Sequence, residues 1–187
     1  HSDITVDLKS NKMEVHNSNA ENFKVTLIDT GLNTMTAGRL KRVQQYIDQE
    51  DFMLTYGDGV SDINVKKLVD FHKKHGKTAT MTAVQPGSRF GIMEFGDDNT
   101  ITKFNEKPKE SGSWINGGFF VLKPEVFNYL KDDSDEIMWE RQPLEDIANE
   151  GQLVAYKYDG FWKCMDTLRD REELENLWKT EPKWKSW

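Results

Sequence analysis

An apolar run, Phe52-Met53-Leu54-Thr55, stops at Tyr56-Gly57-Asp58-Gly59, and the pattern of residues 52–84 constrains the fold more than any other part of the chain. Asp62 stands as an N-cap before Val65, Leu68, Val69 and His72, which share one helical face, and Gly76 closes that helix. Thr78-Ala79-Thr80-Met81-Thr82-Ala83-Val84 then reads as a strand. Strand, helix and strand in that order predict a right-handed crossover in a parallel sheet, so the expected fold class is α/β. Asp58 falls at the C-terminal edge of the first strand, where open α/β sheets bind ligands, and its flanking glycines leave room for one. A tight turn accounts for the same four residues.

The rest of the chain is consistent with one domain over 1–187. Its 187 residues are 36% hydrophobic, enough for a core of ordinary size. A net charge of -7 argues against nucleic acid or an anionic membrane surface as partner and leaves small molecules or protein. No stretch approaches the roughly 20 apolar residues that cross a bilayer, and no signal segment opens the chain, so a soluble, cytoplasmic protein is expected. The single cysteine, Cys164, has no internal disulfide partner and reads as a small buried hydrophobe. The chain opens at His1 and runs into the alternating, strand-like Asp3-Ile4-Thr5-Val6-Asp7-Leu8, as the middle of a longer protein would.

Leu40, Val43 and Ile47 have helical spacing behind Thr36-Ala37-Gly38-Arg39, with Arg39, Lys41 and Arg42 at the helix start. Cations there oppose the helix dipole; a bound phosphate resolves the conflict, and so does solvent. Residues 91–95 and 100–105 flank the turn-rich Gly96-Asp97-Asp98-Asn99 and read as a hairpin that leads to Glu106-Lys107-Pro108. The proline can swing both charges toward one cavity, although an exposed loop pair fits equally. In Asn116-Gly117-Gly118-Phe119-Phe120-Val121-Leu122 the glycines permit close approach of a ligand or mark a bulge. Pro124 and Pro143 open short helices and Gly151 stops one. Thr167 is the N-cap of a last helix with Asp170 as its capping-box partner, and Asp166 stands just outside, either facing a ligand or supporting the helix terminus. The histidines lack metal-ligand spacing, His72 reads as a packing residue, and neither a nucleophile elbow nor a Walker loop is present.

In this order, Thr30-Gly31 with Met35-Thr36-Ala37-Gly38-Arg39-Leu40-Lys41-Arg42, Tyr56-Gly57-Asp58-Gly59, Arg89-Phe90-Gly91, Glu106-Lys107-Pro108, Asn116-Gly117-Gly118-Phe119-Phe120 and Met165-Asp166-Thr167-Leu168-Arg169-Asp170 resemble the sugar-1-phosphate nucleotidyltransferases over nearly the whole chain. Leu27-Ile28-Asp29-Thr30-Gly31, the pairing of Gly160-Phe161-Trp162 with the Asp166 segment, and the ending Lys183-Trp184-Lys185-Ser186-Trp187 resemble the cytidylyl branch. The resemblance implies a Rossmann-like mixed, mainly parallel sheet flanked by helices. It implies that Asp58 and Asp166 hold Mg2+, that Glu106 binds glucose hydroxyls, and that Asn116, Gly117 and Gly91 complete the sugar pocket. Arg39 near the nucleotide and Lys107 on the sugar phosphate are the implied catalytic side chains, with Thr36, Gly38, Gly57 and Thr167 as further substrate contacts. The implied reaction takes CTP and glucose 1-phosphate to CDP-glucose and pyrophosphate in a homo-oligomer serving polysaccharide biosynthesis.

The family's N-terminal glycine-rich loop has no counterpart here, so the chain is expected to be the C-terminal two-thirds of such an enzyme, N-terminally truncated and inactive alone. A uridylyl- or thymidylyltransferase shares nearly every motif. A metal-dependent glycosyltransferase using Asp58 and Asp62, and a non-catalytic nucleotide-sugar binding module, are the other readings. The Trp/Lys-rich tail, 179–187, suits a subunit interface or packing on its own domain.

Overall fold

The computed structural model describes residues 2–18, 23–47, 49–86, 92–95, 100–105, 113–131 and 134–185. Its centre is a four-stranded sheet in the order β3 (Phe52–Thr55), β8 (Ile115–Leu122), β5 (Ala79–Val84), β9 (Leu153–Tyr158). The alternation of strand and helix expected of an α/β chain is present, and the sheet is mixed. Its internal arrangement differs from the expected parallel majority: β8 pairs antiparallel with both β3 and β5, and only β5 and β9 pair in parallel. Strands β3 and β5 do run in one direction across the crossover helix, but β8 lies between them. A strand inserted from 30 residues further on cannot be read from local periodicity, because pairing partners are set by the packing of the whole sheet.

Both faces of β8 are covered, which is why its sequence reads as a nearly continuous apolar run. Phe120 and Leu122 enter the larger core with Ala37, Leu40, Val126, Trp139 and Ile147, while Val121 faces the other way onto Ile63 and Leu68. The first layer holds α1 (Thr36–Val43) and α3 (Gln142–Asn149); the second holds α2 (Val65–His75). Pro143 opens α3, Pro124 opens a 3-10 turn at Pro124–Tyr129, and Gly76 caps α2 in the left-handed region at φ 66°. Asn64, not Asp62, caps the start of α2, accepting from Lys67 N–H at 3.0 Å. Asp62 is occupied elsewhere: its Oδ1 accepts from the Tyr158 hydroxyl and, at 2.8 Å, from Phe161 N–H.

The expected helix behind Thr36 is shorter than the spacing suggests, since a 3-10 turn at Gln44–Tyr46 replaces its continuation. Lys41 and Arg42 therefore lie in its last turn, where cations complement the dipole, and the anticipated conflict disappears for them. Arg42 pairs with Asp135, and Lys41 Nζ donates to Leu130 O at 2.9 Å.

Three two-stranded units complete the fold. The opening alternation forms β1 (Ser2–Asp7), which pairs with β2 (Lys12–Ser18); β6 (Ile92–Phe95) and β7 (Ile101–Asn105) form the expected hairpin. The third, β4 (Gly59–Ser61) with β10 (Trp162–Cys164), joins segments about a hundred residues apart. After it comes α4 (Leu168–Thr180), started by the predicted capping box: Thr167 Oγ1 accepts from Asp170 N–H at 3.2 Å, and Asp170 Oδ2 accepts from Thr167 N–H at 3.0 Å. Trp184 of the tail stacks on Phe161 at 5.6 Å and on Trp178 at 6.3 Å, so this part packs on its own chain, while Trp178 remains half exposed. Among the described residues, no helix is long and apolar enough to cross a membrane.

Candidate functional site

The β4/β10 register builds the site. Gly59 faces Cys164, Val60 faces Lys163 and Ser61 faces Trp162, and the pairing is prolonged by Met165 N–H donating to Asp58 O at 2.9 Å. Asp58 precedes β4 and Asp166 follows β10, so an antiparallel ribbon sets the two carboxylates at the same end. Both line a cavity of about 530 Å3 together with Tyr56, Asn116, Gly117 and Trp162. The cavity opens at the C-terminal ends of β3 and β5, the edge where open α/β sheets take ligands.

A bulge shapes its floor. The register of β5 on β8 shifts between Met81 and Ala83, which places Ala83 opposite Asn116 and leaves Gly117 and Gly118 in the irregular stretch. Gly118 needs its φ of +77°, and a Cβ on it would sit 2.8 Å from Tyr56 Cδ2. The bulge reading of these glycines holds, and the bulge brings Asn116 to the cavity. Asn116 Oδ1 accepts from Gly118 N–H at 2.8 Å, its Nδ2 donates to the Tyr56 hydroxyl at 3.0 Å, and Gly117 O accepts from Trp162 Nε1 at 2.7 Å.

Of the residues singled out from the sequence, Asp58, Asn116, Gly117 and Asp166 share this cavity. Thr36 and Arg39 instead line an apolar groove of about 280 Å3 that Tyr56 also borders. Arg39 ties down the preceding loop, with Nη1 donating to Thr30 Oγ1 at 2.7 Å and Nη2 to Leu32 O at 3.3 Å. Gly38 lines neither; it borders a separate cavity of about 910 Å3 beside Lys41 and Arg42, and a Cβ there would come 2.5 Å from Asp135 Oδ1, so packing requires a glycine. Gly57 is exposed, with open space around it, and the Thr167 hydroxyl is engaged in the capping box. Gly91, Glu106 and Lys107 lie outside the described residues.

Among the described residues, no hydrogen bond or ion pair engages the Asp58 carboxylate, and Asp166 Oδ2 accepts only a weak bond from Cys164 Sγ at 3.2 Å. Cys164 is half-buried rather than buried; burial and then the Asp166 carboxylate push its thiol up, which keeps it a protonated donor. Among the described residues no group of three or more His, Cys, Asp and Glu side chains forms a metal cage. Two carboxylates with accessible oxygens suit a hard divalent cation that takes its remaining ligands from water and phosphate.

Sequence reasoning misses three lining or supporting residues: Tyr56, Glu140 and Trp162. The Tyr56 hydroxyl donates to Glu140 Oε1 at 2.5 Å; burial and that carboxylate push the phenol well above its usual range, so it remains a donor. Trp162 is visible beside the Asp166 segment, but Glu140 lies 84 residues from Tyr56 in an irregular stretch with no local signal.

An α/β sheet with a cavity at its carboxyl edge, lined by two carboxylates and an amide, has the ligand position of the nucleotide-binding α/β class. The profile of the nucleotidyl transferase family matches residues 3–176, and the chain belongs to that family. It is 50% identical over 188 aligned positions to the glucose-1-phosphate cytidylyltransferase of Salmonella typhi, covering 100% of this chain and 72% of that protein. Similarity to the mannose-1-phosphate guanyltransferase of Saccharomyces cerevisiae is lower, 32% over 160 residues, covering 79% of this chain and 44% of that one. Among solved structures, HddC from Yersinia pseudotuberculosis superposes with a TM-score of 0.63 at 20% identity, covering 86% of this chain and 69% of that chain, a likeness of fold. The family is generally dependent on a divalent metal.

Proposed function

We propose that this chain serves transfer of a cytidylyl group from CTP to glucose 1-phosphate, giving CDP-glucose and pyrophosphate. The observation that carries the reading is the β4/β10 register, which brings Asp58 and Asp166 to one cavity beside Asn116; the 50% identity to a cytidylyltransferase supports the choice of base and sugar. In this reading Asp58 and Asp166 hold Mg2+, which when bound neutralises phosphate charge and stabilises the charge that develops in transfer. Asn116 and the Gly117 backbone bind the sugar, with Gly91 and Glu106 on its hydroxyls and Lys107 on its phosphate. Arg39 and Thr36 face the nucleotide from the neighbouring groove, Gly57 permits close approach, and Thr167 keeps the Asp166 turn in place. Gly38 is kept a glycine by its packing on Asp135 and borders a separate cavity beside Lys41 and Arg42, its route to a substrate contact.

The bond that forms joins a phosphate oxygen of glucose 1-phosphate to the α-phosphorus of CTP, and the bond from that phosphorus to pyrophosphate breaks. The attacking phosphate is ionised at neutral pH, so no side chain need remove a proton. The chain's contribution is positioning and charge neutralisation. The enzyme is proposed to act in the cytoplasm as a homo-oligomer, in the making of polysaccharide precursors.

The test is pyrophosphate release from each of the four nucleoside triphosphates with glucose 1-phosphate and Mg2+, measured on the protein that carries this chain. CTP is expected to be preferred. Asp58→Asn and Asp166→Asn are each expected to lower kcat at least about a hundredfold, and chelation of the cation to abolish turnover. Preference for another triphosphate overturns the choice of base; turnover insensitive to both aspartates overturns the site. Nucleotide-sugar binding without turnover by the wild type identifies a binding module.

A further inference from the structure

The Glu140 carboxylate bridges the start of α1 and the end of β3. Its Oε2 accepts from the Thr36 hydroxyl at 3.0 Å, at the start of α1, and its Oε1 accepts from the Tyr56 hydroxyl at 2.5 Å, at the end of β3. Thr36 Oγ1 in turn accepts from Trp139 N–H at 2.7 Å. The carboxylate is an acceptor only, which fixes the sense of every bond beyond it. Tyr56 must give its proton to Glu140, so its oxygen is left to accept from Asn116 Nδ2. The Asn116 carbonyl accepts from Gly118 N–H, and this sets the amide's orientation. One Nδ2 hydrogen points along the chain to Tyr56, and the other is free to serve the cavity that Asn116 lines. Bonds to an ionised acceptor are stronger than neutral ones, and neighbouring bonds in such a chain polarise one another.

We propose that Glu140 is a positioning residue for the sugar side of the site: through Tyr56 it aims the Asn116 amide at the sugar phosphate substrate. The inference rests on the role given to Asn116 in the proposed reaction. Glu140 itself does not line the Asp58 cavity, and its carboxylate takes both Thr36 and Tyr56, so the effect of its loss passes through those two residues.

The experiment compares Glu140→Ala, Glu140→Gln, Tyr56→Phe and the Glu140→Ala/Tyr56→Phe double variant in the protein that carries this chain. Glu140→Ala is expected to raise KM for glucose 1-phosphate about tenfold, the equivalent of one charge-assisted hydrogen bond, and KM for CTP by less, through the released Thr36 hydroxyl. Glu140→Gln keeps one acceptor and is expected to fall between wild type and Glu140→Ala. In the Tyr56→Phe background, removal of Glu140 should raise KM for glucose 1-phosphate no further, because the Thr36 branch of the network serves the nucleotide side. A loss of thermal stability with unchanged KM for glucose 1-phosphate overturns the proposal, as do effects on that KM that multiply in the double variant. If CTP and glucose 1-phosphate are not substrates, the side-chain amide resonances of Asn116 in 15N-labelled protein still decide: a shift in Glu140→Ala and Tyr56→Phe supports the aiming role, and unmoved resonances overturn it.

Discussion

Gly118 and Gly57 look alike in the sequence and differ in what surrounds them. An alanine at 118 must adopt a φ of +77° and push its Cβ against the Tyr56 ring, 2.8 Å away, whereas at 57 nothing lies within 4 Å. Gly118→Ala is therefore expected to destabilise the fold by more than about 1 kcal/mol and to raise KM for the sugar phosphate by displacing Tyr56 from Asn116. Gly57→Ala should leave stability within about 0.5 kcal/mol and weaken substrate affinity only. Urea unfolding paired with KM measurement separates the two, and a stable Gly118→Ala variant with wild-type KM would show the bulge to be irrelevant. Both glycines are legible in the sequence as special; which of them serves packing is not, because a Cβ clash depends on a ring 62 positions away in one case and on nothing in the other.

At the scale of elements, α4 shows how a local signal can be complete. Thr167 and Asp170 lie within one turn, so the capping box needs no tertiary partner to be recognised. Thr167→Ala is expected to cost about 1 kcal/mol, read by thermal unfolding. Asp170 is 7% exposed, and the Thr167 hydroxyl first, then Lys163, hold its carboxyl below the ordinary 3.8. A carboxyl lowered in the folded state stabilises above 3.8 and loses that contribution as pH falls through the folded value. The deficit of Thr167→Ala relative to wild type should accordingly shrink below about pH 3.8 and stay constant above it. The start of α2 shows the opposite case. Asp62 has the chemistry of an N-cap, yet Tyr158 and Phe161 take its carboxylate and leave the cap to Asn64.

Over the whole molecule, the buried His72 couples stability to pH. Its ring is fully enclosed, with Nδ1 beside Thr80 Oγ1 at 2.8 Å, His75 on the same hydroxyl, and Asp51 3.7 Å from Nε2. Burial pushes its pKa below 6.5; Asp51 opposes the shift, while His75, Lys123 and Lys73 add to it. The unfolded chain then binds the proton more readily, so stability is full above pH 6.5 and declines as pH falls below it. The urea midpoint is expected to be lower at pH 5.5 than at 7.5, and His72→Gln should flatten that difference. A pH-independent midpoint in the wild type would mean that the histidine charges without cost.

The sequence alone determined what depends on near neighbours: the apolar runs, the helix stops at Gly76 and Gly151, the capping box, and the residue types able to hold a cation and a phosphate sugar. These are legible because periodicity and capping act within a turn or two of chain. The tertiary structure decided that β8 lies between β3 and β5, that β4 meets β10 to bring Asp58 and Asp166 together, and that Glu140 reaches Tyr56. Those are contacts between segments tens of residues apart, and they arise from how two layers of helices cover a twisted sheet, which no local pattern encodes.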